Sequence, residues 1–176
     1  MGEAVDQVDE QDRVLGVVER GEAIRLRLLH RVATIVCRDT DGRFLVHRRG
    51  DTTPLFPGQA NWMLGGAVHA GESYADAAAR ELAEELGIVE RPRFVLKFLC
   101  EGAISPYWLG LHEVVVTGPV RADPSEVARY AWVTDDELSA LAARDSFVPD
   151  AREALGRYRA LKRVRASESE ARARRK

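Results

Sequence analysis

Three closely spaced glutamates are the residues of this chain whose types and spacing best fit a chemical role. Glu81, Glu84 and Glu85 fall within about 100° of one another on a helix, so their carboxylates share one face. Like charges at this spacing destabilise a helix and raise one another's pKa unless a cation neutralises them. Carboxylate oxygens suit a hard divalent ion such as Mg²⁺, which binds through carboxylates, waters and substrate phosphates.

A solvated acidic surface is the ordinary explanation for such a cluster, and the preceding residues argue against it. Gly65-Gly66 lets the backbone bend and approach a ligand closely, and the Gly65 carbonyl precedes the glutamate helix, where a metal could use it. Arg80 lies one turn before Glu84 and can pair with a carboxylate, which would fix its direction. The pattern therefore predicts a helix face that binds a metal ion, which in turn binds substrate phosphates.

The segment 66–88 resembles the Nudix box, G-x5-E-x7-R-E-U-x-E-E-x-G-U, in which U is an apolar residue. Every specified position matches, and a chance match at one register is on the order of one in 10⁸. The matching residues are Gly66, Glu72, Arg80, Glu81, Leu82, Glu84, Glu85, Gly87 and Ile88. The resemblance implies a MutT-like pyrophosphatase that hydrolyses a diphosphate linkage in a nucleoside diphosphate derivative or related substrate. It also implies Mg²⁺ as the cofactor, with Mn²⁺ as an alternative.

The resemblance also assigns roles within the segment. Glu81, Glu84 and Glu85 would bind the metal with the Gly65 carbonyl, and one glutamate would accept the proton of the attacking water. The family differs over which glutamate is the base, so that choice stays open. Glu72 and Arg80 would brace the loop against the helix, and the Gly66 backbone would lie against the substrate.

Three residues outside the segment are further candidates. Glu126 precedes a strand that includes Trp132, where many Nudix proteins place a metal-binding acid, although a loop charge is equally compatible. Arg48 and Arg49 end a strand beside the Pro-Gly loop 50–58 and are expected to contact phosphate, with a structural ion pair as the alternative.

A second resemblance is to isopentenyl-diphosphate isomerase, which shares the Nudix fold. Alignment on Phe56-Pro57-Gly58 puts Gly65 where the isomerase has its catalytic cysteine. Of the other isomerase site positions, only His30 and Glu126 keep the residue type; the rest hold Ala23, Ala67 and Pro124. The chain thus resembles an isomerase-like branch with hydrolase chemistry. A non-catalytic Nudix nucleotide-binding module is the other alternative, but such modules usually lose box carboxylates, and this chain keeps all of them.

The net charge and the cysteine content of the chain limit the classes of binding partner that we expect. The chain has 176 residues and a formal net charge of −2, which gives no general attraction to nucleic acid polymers or anionic membranes. The acidic start has no apolar segment of the signal-peptide kind, and Cys37 and Cys100 form no metal-ligand spacing, so we expect a cytoplasmic protein. The expected partner is a small-molecule diphosphate. The oligomeric state is left open, a homodimer included.

The elements that must position these residues read as an α/β fold. Alternating and β-branched segments predict strands on both sides of one strong helix, Ser73 to Leu86, capped at Ser73 and ended by Gly87. Its core-facing stripe is predicted as Ala75, Ala78, Ala79, Leu82 and Leu86. We expect a Nudix α/β/α sandwich with a mixed β-sheet over residues 13–164. Residues 1–12 are predicted to be a mobile N-terminal tail and residues 165–176 a charged, fraying C-terminal tail.

Overall fold

The computed structural model describes residues 2–174, so Met1, Arg175 and Lys176 lie outside the description. The strands are β1 (Ala4–Val8), β2 (Val14–Glu19), β3 (Arg31–Arg38), β4 (Phe44–Arg49), β5 (Ala60–Asn61), β6 (Leu64–Ala67), β7 (Arg93–Cys100), β8 (Tyr107–Val115) and β9 (Val127–Val133). The helices are α1 (Arg20–Leu26), α2 (Tyr74–Leu86), α3 (Asp135–Ala142) and α4 (Pro149–Ala173). None of the helices described is long and apolar enough to cross a membrane.

A mixed sheet forms the centre of the molecule. Its strand order is β5-β4-β3-β8-β7, with β6 also paired to β3 and β9 to β4. The β3–β8 pair is parallel, and the other pairs are antiparallel. One apolar cluster joins the sheet to α2, and a second joins it to α3 and α4. Helices therefore cover both sheet faces, and the expected α/β/α sandwich with a mixed sheet is confirmed.

The N-terminal residues form a hairpin where a mobile tail was expected. β1 pairs with β2 from Ala4–Glu19 to Val8–Val14, and Val5 and Val8 are buried. Asp12 pairs with Arg31 at 2.6 Å and also with Lys97. The acidic composition of this segment suggested a solvent-exposed tail, but Asp12 is neutralised by Arg31 and Lys97. The buried Val5 and Val8 supply the apolar contacts that order β1.

The last helix is longer than expected. Residues 165–176 were predicted to be a charged, fraying tail, yet α4 continues to Ala173. The final residues are exposed on all sides, so they form no packed face. Alanine, arginine and glutamate are strong helix formers, and they extend the packed part of α4 without tertiary contacts.

Helix α2 confirms the predicted boundaries and corrects the predicted buried face. The Ser73 hydroxyl accepts the Asp76 N–H at 3.1 Å, and Gly87 ends the helix in the left-handed conformation at φ 66°. Ala78, Leu82 and Leu86 are buried as expected, but Ala75 is exposed, Ala79 is half-buried and Ala77 is buried instead. The core-facing stripe is rotated around the helix, and this rotation buries Glu85 as well.

Candidate active site

The glutamate face of α2 lies against the two glycines of β6. The Gly65 N–H donates to Glu85 Oε1 at 2.8 Å. A Cβ at Gly66 would lie 2.6 Å from Glu81 Oε1, and one at Gly65 would lie 2.1 Å from the Ala33 carbonyl oxygen. Gly65 also has a φ of +127°, which L side chains rarely adopt. A side chain at Gly65 would therefore collide with the backbone of β3, and one at Gly66 would displace the Glu81 carboxylate.

An open cleft of about 420 Å³ collects the predicted carboxylates. Glu81, Glu84 and Glu85 line it together with Gly65 and Gly66. Two acidic residues from the segment before β9 and two arginines also line it: Asp123, Glu126, Arg20 and Arg49. The cleft thus combines a dense group of carboxylates with two guanidinium groups. This arrangement suits a cation and an anion bound side by side.

Glu85 is the most perturbed acid of the cleft. Its side chain is only 6% exposed, and burial raises its pKa to about 8, with further increases from the charges of Glu81 and Glu126. The Gly65 hydrogen bond and the Arg49 charge act in the opposite direction. Burial also raises the pKa of Glu81, against the lowering effect of Arg80. A nearby cation would favour the charged form of the buried Glu85 carboxylate.

Arg80 joins the helix to the loop before it. Its guanidinium donates to both oxygens of Glu72 at 3.0 Å and to the Ala67 carbonyl at 3.0 Å. It also contacts Glu81 at 2.6 Å and Glu84 at 3.3 Å. Although burial opposes it, hydrogen bonds from Arg80 and from the His69 N–H lower the pKa of Glu72. Arg80 therefore anchors the glutamate face to the loop that enters α2.

The donor set suits a hard cation. All candidate side-chain ligands are carboxylates, and the buried Glu85 charge lacks a cationic partner among the ion pairs of residues 2–174. Over the same residues, no three acidic, histidine or cysteine side chains converge as a finished cage. Mg²⁺ does not need such a cage, because it keeps several waters and takes the rest of its ligands from substrate phosphates.

The structure separates the two arginines that the sequence placed together. Arg49 Nε donates to the Leu55 carbonyl at 2.9 Å, and its side chain borders the cleft. Arg48 pairs with Asp51 at 2.6 Å and lines a different cavity. The β4–β9 ladder has a register shift between the two arginines, and their side chains border different cavities. Arg48 is therefore not a substrate contact at the carboxylate cleft.

Arg20 is a site residue that sequence reasoning missed. As the first residue of α1, it pairs through Nη1 with Glu3 Oε2 at 2.9 Å, and it borders the carboxylate cleft. Its Nε is buried and has no hydrogen-bond partner within the described part of the chain. No motif surrounds Arg20 in the sequence, and only the docking of the N-terminal hairpin brings it to the glutamates.

A second, smaller pocket of about 120 Å³, called the small pocket below, adjoins the cleft. The two cavities share Arg20, Arg49, Leu55 and the β6 glycines. Polar groups also line the small pocket, including the buried side chains of His30, Asn61 and Asp150. Burial lowers the pKa of His30, whose Nδ1 lies 3.2 Å from the Leu28 carbonyl. A neutral His30 then presents its other ring nitrogen as an acceptor.

Comparison with known proteins agrees with this geometry. The family model described as NUDIX domain matches residues 28–157. An uncharacterized Nudix hydrolase of Streptomyces coelicolor is 44% identical over 161 residues, covering 90% of this chain and 89% of the relative. The uncharacterized Nudix hydrolase YfcD of Escherichia coli is 35% identical over 154 residues, covering 87% and 84%. The crystal structure of DR0079 from Deinococcus radiodurans superimposes with a TM-score of 0.77 at 28% identity, covering 88% of this chain and 98% of that one.

The assignment follows from three observations. They are the packing of the glutamate helix α2 on the glycines of β6, the α/β/α sandwich with its mixed sheet, and the similarity to these relatives. The chain belongs to the Nudix hydrolase family.

Proposed function

We propose that the chain is a Mg²⁺-dependent pyrophosphohydrolase that cuts a diphosphate linkage in a nucleoside diphosphate derivative or a related small molecule. The observation that carries the proposal is the buried Glu85 carboxylate, which lies beside Glu81 and Glu126 in a cleft also bordered by two arginines. A buried group of like charges is costly in a protein that has no use for it. A bound cation, with phosphate oxygens as its remaining ligands, accounts for its presence.

Glu81, Glu84, Glu85 and Glu126 are the residues that would hold the metal. When bound, Mg²⁺ neutralises phosphate oxygens and lowers the pKa of the attacking water. One of the glutamates accepts the proton of that water as its oxygen bonds to phosphorus and the bridging P–O bond breaks. Mn²⁺, which also prefers oxygen ligands, is the alternative cation.

The remaining site residues bind and position the substrate. Arg49 and Arg20 line both the cleft and the small pocket. They are suited to phosphate oxygens, because a guanidinium offers a planar set of donors. Gly66 has no side chain, so the substrate can lie against the backbone. Arg80 and Glu72 hold α2 and its entry loop in register, and this keeps the glutamates aimed into the cleft.

The small pocket is placed to receive the organic group of the substrate. Its volume of about 120 Å³ is somewhat below the cavity of about 150 Å³ that accommodates benzene in another protein. Apolar side chains such as Phe56 and Met63 line it together with the polar groups of His30 and Asn61. We therefore propose that the group entering this pocket is compact, about one ring in size, and carries hydrogen-bonding atoms.

A substrate panel tests the proposal. Purified protein is incubated with nucleoside diphosphates and triphosphates, nucleotide sugars, dinucleoside polyphosphates and isoprenoid diphosphates, with Mg²⁺ or with a chelator. We expect phosphate or a monophosphate from at least one member, only when the metal is present. Glu85→Gln should abolish the product, and Glu168→Gln, on the exposed end of α4, is the matched control that should retain it. Absence of metal-dependent product across the panel, with folded protein, would exclude the hydrolase proposal for these substrates.

A further inference from the structure

A basic groove lies on the side of the sheet away from the glutamates. It has a volume of about 410 Å³ and runs between the β4–β9 pair and residues 141–146. Its floor is apolar, formed by Val46, Ala131, Val133 and Leu141. Three arginines line it as well: Arg48, Arg129 and Arg144. The groove shares no lining residue with the carboxylate cleft.

The charges of this groove are poorly compensated. Arg48 and Arg129 are direct partners in the antiparallel β4–β9 ladder, so their side chains start from the same face of the sheet. Like charges directly opposite each other destabilise a sheet. Arg48 pairs with Asp51, but neither Arg129 nor Arg144 takes part in an ion pair with any residue from 2 to 174. The groove therefore combines an excess of positive charge with an apolar floor.

We propose that this groove binds a phosphate monoester. Guanidinium groups offer planar, paired donors that match phosphate oxygens, and a monoester dianion carries about two negative charges to set against the three arginines. The apolar floor would take the organic part of the ester. The ligand would also relieve the repulsion between Arg48 and Arg129. This site is separate from the catalytic one, because Arg49 borders the carboxylate cleft and not the groove.

The groove is connected to the substrate pocket through the loop after β4. Arg48 holds that loop through Asp51 and through the Gly58 carbonyl at 3.2 Å. The same loop contributes Leu55 and Phe56 to the small pocket. A phosphate that draws the Arg48 guanidinium away from Asp51 and Gly58 weakens two of the contacts that order the loop. Filling the groove therefore loosens one wall of the substrate pocket.

Phosphate titration of the metal-free, full-length protein tests the proposal. The probes are inorganic phosphate and phenyl phosphate at constant ionic strength, followed by backbone amide NMR signals. We expect saturable shifts at Ala131 and Ser146, with tighter binding of phenyl phosphate because of the apolar floor. The double variant Arg129→Gln/Arg144→Gln should bind about ten-fold more weakly, since charge-assisted hydrogen bonds are lost. Hydrogen exchange at the amides of Gly58 and Gln59 should become faster at saturation.

Two controls separate this site from the catalytic cleft and from nonspecific charge. Arg163→Gln/Arg165→Gln makes the same charge change on the exposed part of α4 and should leave the affinity unchanged. Arg49→Gln removes a cleft residue and should also leave the groove titration unchanged, so a failed hydrolase proposal would not alter this result. Linear, unsaturated shifts, or equal affinity in the Arg129/Arg144 double variant, would overturn the proposed site. Unchanged exchange at Gly58 and Gln59 would overturn the connection to the loop.

Discussion

Replacing Glu85 with glutamine should stabilise the metal-free protein at alkaline pH. Glu85 is buried, and burial together with Glu81 and Glu126 raises its pKa from 4.5 to about 8. Between these two values the folded state binds more protons than the unfolded state, so the stability of the wild type falls as pH rises through that window. Glutamine carries no charge and can still accept the Gly65 N–H, so the variant lacks this loss.

The size of the effect follows from the shift. A change from 4.5 to about 8 corresponds to at most about 5 kcal/mol at 1.36 kcal/mol per pKa unit. Relaxation and water entry reduce such penalties in real proteins, so we expect about 2 kcal/mol or more. Around pH 4.5 the wild type and the variant should be nearly equal in stability. At pH 8 the variant should be more stable by this amount.

Urea denaturation with a chelator present, at pH 4.5 and pH 8, measures the difference. When the chelator is replaced by Mg²⁺, the wild type should become more stable at pH 8, because the cation compensates the buried charge. The same replacement should have little effect on Glu85→Gln. Glu168→Gln is the control, since Glu168 is exposed on α4 away from the cleft and this variant should follow the wild type. Parallel pH profiles for wild type and Glu85→Gln would refute the reasoning that Glu85 is a buried, uncompensated carboxylate.

Three further predictions concern other residues of the candidate active site. Arg80→Gln should lower the free energy of unfolding by about 2 kcal/mol, because Glu72 loses both contacts to the guanidinium; an unchanged urea midpoint would contradict this. Gly66→Ala should reduce kcat strongly while the protein stays folded, since its Cβ would lie 2.6 Å from Glu81 Oε1; full activity would mean that this approach is not needed. Arg49→Gln should raise KM about ten-fold through a lost charged hydrogen bond to phosphate, whereas Arg163→Gln should not, and equal KM values would remove Arg49 from the binding site.

The parts of the fold that depend on local sequence were predictable. Ser73 and Gly87 mark the ends of α2 through capping and a left-handed residue, which are properties of a few adjacent positions. The convergence of Glu81, Glu84 and Glu85 on a cleft follows from their spacing on that helix. Strand alternation alone predicts that the side chains of Arg48 and Arg49 point to opposite faces of the sheet. The prediction that both arginines contact phosphate did not take this into account.

The parts that depend on distant contacts were not predictable in this way. The burial of Glu85 is set by how α2 rotates against β3 and β6, and the apolar pattern of the helix alone placed the core face on Ala75 and Ala79 instead. Arg20 reaches the cleft only because the β1–β2 hairpin docks beside the loop after β6, through the Val5–His69 bridge and the Glu3 contacts. Neither arrangement leaves a pattern in neighbouring residues.

The most direct test of the central claim is the isotopic fate of water during turnover. The protein is incubated with Mg²⁺ and a diphosphate substrate from the panel in H₂¹⁸O, and the products are analysed by mass spectrometry. Attack of water on phosphorus predicts one ¹⁸O atom in a phosphate-containing product, absent with chelator and absent in Glu85→Gln. A labelled alcohol with unlabelled pyrophosphate would place the attack on carbon. Conversion of isopentenyl diphosphate to dimethylallyl diphosphate without cleavage would contradict hydrolysis altogether.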